Sequence, residues 1–166
     1  MRFNLIDEIT ELEPSRRIKA VKNLTLGEEY LADHFPGFPV MPGVLMLQTL
    51  VEAGAWLLRV SEEWKHSMIV LREAKNVKYG HFMEPGRQMQ VTVEMTERNN
   101  KLANFKGKGE IEGQLTVSAR ITLETYNLQE QDPGLESTDQ KLIAHFRELY
   151  RLLGRKLKPA GSGSNG

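Results

Sequence analysis

The chain has 166 residues, 40% of them hydrophobic and 27% charged, which suits one domain with its own core and excludes the composition of a disordered chain. Its 22 basic and 22 acidic residues cancel to a formal net charge of zero, against the basic excess expected of a dedicated nucleic-acid binder. Cysteine is absent, so no disulfide framework, thiolate nucleophile or thiolate metal site can be built.

The N-terminus alternates charged with isolated apolar residues and lacks the continuous apolar stretch of a secretory signal, so a cytoplasmic location is expected. Residues 3–12 read as a first strand, with Phe3, Leu5, Ile6 and Ile9 as candidate inward residues. After a turn at Pro14-Ser15, residues 17–26 alternate again through Ile18, Ala20, Val21 and Leu24, giving a second strand. Arg16, Arg17, Lys19 and Lys22 make this hairpin basic. It is either a solvated strand face or a docking surface for an acidic partner. Residues 27–33 form a short turn or loop.

The run from His34 to Trp56, HFPGFPVMPGVLMLQTLVEAGAW, changes character at Gly43. Before it stands a loop studded with Pro36, Gly37, Pro39 and Pro42; after it, nearly every residue to about Val60 is apolar or small. This reads as a helix buried on all sides, roughly 27 Å long, too short and interrupted for a good membrane span. Pro42 suits its first turn. Gln48 and Glu52 break the apolar run, and their spacing of four stacks them on one face. Burial raises a carboxylate's pKa toward values useful in proton transfer, and an imidazole is the side chain best suited to take up a proton near neutral pH, so Glu52 and His34 are candidates for a general acid/base pair. Alternatively, Glu52 satisfies buried polar groups.

Residues 61–66 are polar and predict a loop, with Trp64 as a lid on the core. A strand with a bend is predicted over residues 68–79, ending at Gly80. Beyond the Pro85-Gly86 turn, residues 88–96 and 102–112 predict a hairpin around Asn99-Asn100, and residues 114–125 a last strand after Gly113. One helix followed by consecutive hairpins predicts an antiparallel α+β domain with the helix as its filling. Residues 128–137 read as a linker. Leu142, Ile143, Phe146, Leu149, Tyr150 and Leu153 then recur at helical spacing, predicting an amphipathic helix over residues 138–157 that packs on the sheet or a neighbouring subunit, with a membrane surface as the alternative. The domain is expected to end near residue 127, with linker and helix to 158 and a flexible Gly/Ser tail over 159–166. His66, His81 and His145 show no metal-ligand spacing, and nucleotide-binding or serine-hydrolase signatures are missing.

The central run resembles the signature of the (3R)-hydroxyacyl-acyl carrier protein dehydratases of the hotdog fold. The matching residues are His34, Phe35, Pro36, Gly37, Pro39, Val40, Met41, Pro42, Gly43, Val44 and Leu45. The likeness extends over about residues 3–127, through AVKNLTLGEEYLADHFPG before the motif and NVKYGHFMEPGRQ after it. It implies a hotdog fold, a homodimer with an acyl tunnel at its interface, dimers able to assemble further into a hexamer, and no cofactor beyond the phosphopantetheine of the acyl carrier protein. No nucleic acid and no stable membrane insertion are implied. In that family the catalytic carboxylate falls fourteen positions after the histidine and a glutamine commonly follows four later; this chain holds Gln48 and Glu52 there, amide and acid exchanged.

The resemblance implies His34 as the base that removes the proton next to the thioester carbonyl. Glu52, from the other subunit, would protonate the departing hydroxyl directly or through water. The backbone N–H of Gly43 would hold the developing enolate oxygen, with Pro42, Val44 and Gln48 lining the substrate. Gln48 can hydrogen-bond but cannot give up a proton at neutral pH. Three readings follow: a dehydratase using His34 and Glu52, a thioesterase on the same fold, or an acyl-carrier-binding subunit that has lost its acid and works in a heteromer.

Overall fold

The computed structural model describes residues 4–157. Phe3, expected inward on the first strand, and the tail over 159–166 lie outside them. In chain order the elements are β1 (Glu8–Glu13), β2 (Arg17–Asn23), α1 (Gly43–Ser61), β3 (Met68–Tyr79), β4 (Gln88–Asn99), β5 (Leu102–Ile111), β6 (Gln114–Tyr126) and α2 (Glu136–Leu153). The strands form one antiparallel sheet in the order β1-β2-β4-β5-β6-β3. Because α1 lies in sequence between β2 and β3, which end up four strands apart, the sheet must wrap around the helix. This is the hotdog arrangement.

Period-two alternation builds the inner face. On β5, Ala103, Phe105, Gly107 and Gly109 are buried while Lys106 and Lys108 are exposed, and β4 and β6 match them with Met89, Val91, Val93, Val117, Ile121 and Leu123. Leu50, Ala53, Gly54, Leu57 and Leu58 of α1 meet this surface, all buried. The approach is close. A side chain at Gly54 would start 3.2 Å from Leu123 and 3.8 Å from Phe105. By length and mean hydropathy (1.3) α1 passes for a membrane span, yet most of it is covered by its own sheet. It is a core helix.

The strand hairpins turn where φ is positive, at Asn100 (40°) and at Glu112-Gly113 (51° and 79°). The expected bend in β3 is a register shift between Lys75 and Lys78, with Asn76 at φ 52°.

Three expectations change. The first strand begins only at Glu8; Leu5 and Ile6 are buried, but their N–H groups bond to a side chain of α1 rather than to a strand. The polar stretch before α2 contains two short 3-10 turns, Leu128–Glu130 and Pro133–Leu135, tied down by the Asp139 carboxylate, which accepts from the amides of Leu128 and Gln129 at 2.9 and 3.0 Å. Finally, α2 touches the sheet at its β1 edge, as expected, but also covers the C-terminal half of α1: Phe146 and Tyr150 lie 5.9 and 6.2 Å from the Trp56 ring, and Tyr150 lies 5.5 Å from Trp64. Trp64 is the expected lid.

Candidate active site

The loop that carries His34 is anchored at both ends. A 3-10 turn, Glu29–Leu31, leads into it, and the His34 amide donates to the Tyr30 carbonyl at 3.1 Å. Phe35 follows at φ 49°, closing a turn in which Phe38 N–H donates to the Phe35 carbonyl at 2.8 Å. At the far end Met41 N–H donates to the Met83 carbonyl at 2.9 Å, pinning the loop to the segment between β3 and β4. His34 stacks edge-on to Phe35 at 4.6 Å and is half-buried; no ion pair holds it among the described residues.

Pro42 is the residue before α1 rather than within its first turn, and its carbonyl accepts from Leu45 and Met46. Gly43 N–H opens the helix with no protein acceptor among the described residues, as the first amides of a helix do unless capped. The space a side chain at Gly43 would occupy is taken by the ring of Tyr79, 3.0 Å away at the end of β3. Val44 is 68% exposed and Gln48 is exposed one turn further on, so this stripe of α1 faces outward in a single chain. Phe35, Phe38 and Phe82 are exposed as well.

Glu52 turns the other way. Its Oε2 accepts the Leu5 N–H at 2.8 Å and its Oε1 accepts the Ile6 N–H at 3.4 Å. Burial pushes its pKa above the ordinary 4.5, while the two amides, the Trp56 side chain and the Arg59 charge pull it back. Arg59 is itself buried, its guanidinium 3.8 Å from the Phe146 ring and 5.2 Å from that of Trp56, and desolvation lowers it to about 10. Glu52 therefore belongs to a buried cluster joining the N-terminal segment, α1 and α2. The structure gives no contact between Glu52 and His34 within one chain.

The basic hairpin is neutralised within itself. Arg16 and Arg17 both reach Glu13 at 2.6 Å, Lys19 reaches Glu11 at 3.1 Å, and Lys22 reaches Glu28 at 2.5 Å. Among the described residues no three His, Cys, Asp or Glu side chains gather as a metal-ligand set. His66 pairs with Glu62 at 2.8 Å. A concavity of about 660 Å³ is lined by Lys78, Lys106, Lys108 and Arg120, and His34 is not part of its lining.

Two of the residues that sequence reasoning missed had a signal. Lys22 shares the inward register of Ile18 and Ala20, so strict alternation flags it as a buried cation. Arg59, seven positions after Glu52, shares its helix face. Tyr79 had none; only the return of β3 to the helix N-terminus brings it to Gly43.

The sheet wrapped around α1, with a Pro/Gly loop that carries His34 leading into the helix, defines a hotdog-fold protein. The chain belongs to the FabA-like family, whose domain matches residues 1–120. Among curated proteins it is 32% identical over 120 residues to the 3-hydroxyacyl-[acyl-carrier-protein] dehydratases FabZ of Bacillus velezensis and Bacillus subtilis, covering 72% of this chain and 85% of each relative. Among solved structures it is similar to the dehydratase heterocomplex ApeI:P of Xenorhabdus doucetiae, with TM-score 0.65 and 13% identity over 80% of this chain and 90% of that one. A hypothetical thioesterase with coenzyme A from Streptococcus pneumoniae follows at TM-score 0.53 and 12% identity, covering 72% of this chain and 84% of that one. At such identities these two speak for the fold alone.

Proposed function

We propose that this protein dehydrates 3-hydroxyacyl thioesters carried on the phosphopantetheine of acyl carrier protein, giving trans-2-enoyl thioesters for fatty acid or related lipid synthesis, as a cytoplasmic lyase. The observation that carries the reading is the His34–Leu45 segment, which matches the dehydratase signature and feeds a helix whose first amide, at Gly43, has no protein acceptor among the described residues. His34 takes the proton from the carbon next to the thioester carbonyl. The electron pair moves onto the carbonyl oxygen, where the Gly43 N–H and the positive end of α1 stabilise it. The enolate then expels the hydroxyl, which leaves as water once protonated. No cofactor enters this chemistry.

The acid is Glu52, the only carboxyl group on α1. Its raised pKa suits a proton donor. Gln48, one turn away on the exposed stripe, holds the hydroxyl or a bridging water; Glu52, turned toward the amides of Leu5 and Ile6, delivers its proton there only through water. The complete site is formed by two copies: one contributes His34, and the other the Val44–Gln48 stripe, closing the acyl slot over Phe35, Phe38 and Phe82. The open edge of β3 favours such a pairing.

A second reading draws on the two amide hydrogen bonds that Glu52 accepts from Leu5 and Ile6. They give the carboxylate a structural task, and the chain then serves as the carrier-binding half of a mixed dimer whose acid comes from another subunit. One assay separates the readings, with 3-hydroxyacyl-carrier substrates followed for enoyl formation and for free thiol. Enoyl product lost in both His34→Ala and Glu52→Gln supports the dehydratase using Glu52. Full turnover in Glu52→Gln removes that residue's role. Thiol release points to thioester hydrolysis, and carrier binding without either product points to the mixed dimer.

A further inference from the structure

The stretch leading into the motif, AVKNLTLGEEYLADHFPG, places a charged pair inside the protein. Lys22 on β2 is buried, its side chain 3% exposed, and its Nζ lies 2.5 Å from Glu28 Oε1 and 4.0 Å from Asp7. The Glu28 side chain is 21% exposed and adjoins the Tyr30 phenol, whose pKa rises through burial and the nearby Glu28 carboxylate.

Burying an ammonium group is costly, and an apolar pair of similar volume commonly serves stability as well or better. What the pair does supply is a fixed distance. Lys22 sits where β2 pairs with β4, opposite Met89, in the interior of the sheet. Glu28 is the residue before the 3-10 turn, and its carbonyl accepts the Leu31 N–H at 3.1 Å. That turn in turn receives the His34 N–H at the Tyr30 carbonyl. The chain of contacts therefore runs from rigid sheet through ion pair and turn to the imidazole-bearing residue. Leu24 is buried and bonded to Arg87 and Gly86, and Leu31 packs in the core, but the stretch between them is held more loosely: Thr25, Leu26 and Gly27 are exposed, and Glu28 N–H reaches the Thr25 carbonyl only at 3.3 Å.

We propose that the Lys22–Glu28 pair is a positioning device for His34, setting the 29–31 turn and with it the imidazole against the N-terminus of α1. Neither residue touches substrate. The proposal rests on His34 being the reacting base, and a misplacement of about 1 Å at such a group costs on the order of a hundredfold in rate.

The test compares Lys22→Met, Glu28→Gln and the double apolar variant Lys22→Met/Glu28→Leu with the wild-type chain. Enoyl formation is read as kcat and KM, stability by thermal melting, and local order by amide hydrogen exchange. Each single variant is expected to lower kcat tenfold or more with KM changed less than twofold, and to speed exchange at the His34 N–H while leaving core amides such as that of Leu57 unchanged. The double variant is expected to regain melting temperature without regaining kcat. Recovery of kcat together with stability would overturn the proposal, as would unchanged His34 exchange in the single variants. Should Lys22→Met fail to fold, the partly exposed Glu28→Gln carries the same comparison. A wild-type chain that forms no enoyl product would remove the catalytic reading instead, and the exchange arm still decides whether the pair positions His34.

Discussion

Glu52 shows how one side chain can serve two opposed demands. Its oxygens accept backbone amides that would otherwise be orphaned at the start of the chain, while burial resists the charge that makes those bonds strong. Its pKa lies above the ordinary 4.5 in the fold. Such a carboxyl binds its proton more readily folded than unfolded, so it contributes stability at low pH that is lost as pH rises through its folded value. The wild-type chain should therefore gain stability relative to Glu52→Gln as pH falls from neutral toward 4.5, the unperturbed value. Urea titrations of both proteins across that window measure it, and a difference that grew with rising pH would contradict the shift. Gln48 shows the complementary case: its place fourteen residues after His34 is legible in the sequence, but its exposure in a single chain is not. Period 3.6 puts Gln48 and Glu52 on one face only approximately, since four residues overshoot a turn by about 40°. That offset is enough to send the amide outward and the acid toward Leu5 and Ile6.

At the scale of elements, α1 is held by close approach below and by aromatic cover at its C-terminal end. Gly54 is where the helix comes nearest to β5 and β6. Gly54→Leu should push the helix off Leu123 and Phe105 and cost about 1–3 kcal/mol or more, read as a lowered urea midpoint. A midpoint equal to wild type would mean the sheet yields more readily than its packing implies. The α2 cover is also a stability element. Phe146 lies on the Arg59 guanidinium and edge-on to Trp56, so Phe146→Ala removes both contacts and reopens a buried cation to water. A loss of about 2–4 kcal/mol is expected by calorimetry. A negligible loss would make α2 dispensable to the domain. The helical period of α2 was readable from its apolar spacing, and so was its amphipathic face. Its partner was not, because a stripe of Phe, Leu and Tyr fits a sheet, a helix or another subunit equally well.

At the scale of the whole molecule, β3 is an edge strand, and Val44, Phe35, Phe82 and Phe38 are exposed. Exposed apolar surface of this kind, beside an open strand edge, favours association. If the proposed pairing of two copies is right, light scattering should give twice the mass of one chain. Val44→Glu, placing a charge on the outward stripe of α1, should shift the protein to single chains and remove enoyl formation in parallel. A dimer unaffected by that change would place the contact elsewhere on the molecule.

The sequence by itself determined the strands from β2 to β6, the buried helix and the family, because period-two alternation, an apolar run after Pro42-Gly43 and a dense local motif are all short-range signals. It also carried the exchange of amide and acid at positions 48 and 52. The tertiary structure alone decided that the Glu52 carboxylate meets the amides of Leu5 and Ile6, that the basic hairpin is balanced by Glu11, Glu13 and Glu28, and that Tyr79 closes on Gly43. Each of these depends on which way a side chain points once distant segments have met. Local periodicity assigns a residue to a face, but the partner across that face is supplied by chain that lies up to 47 residues away.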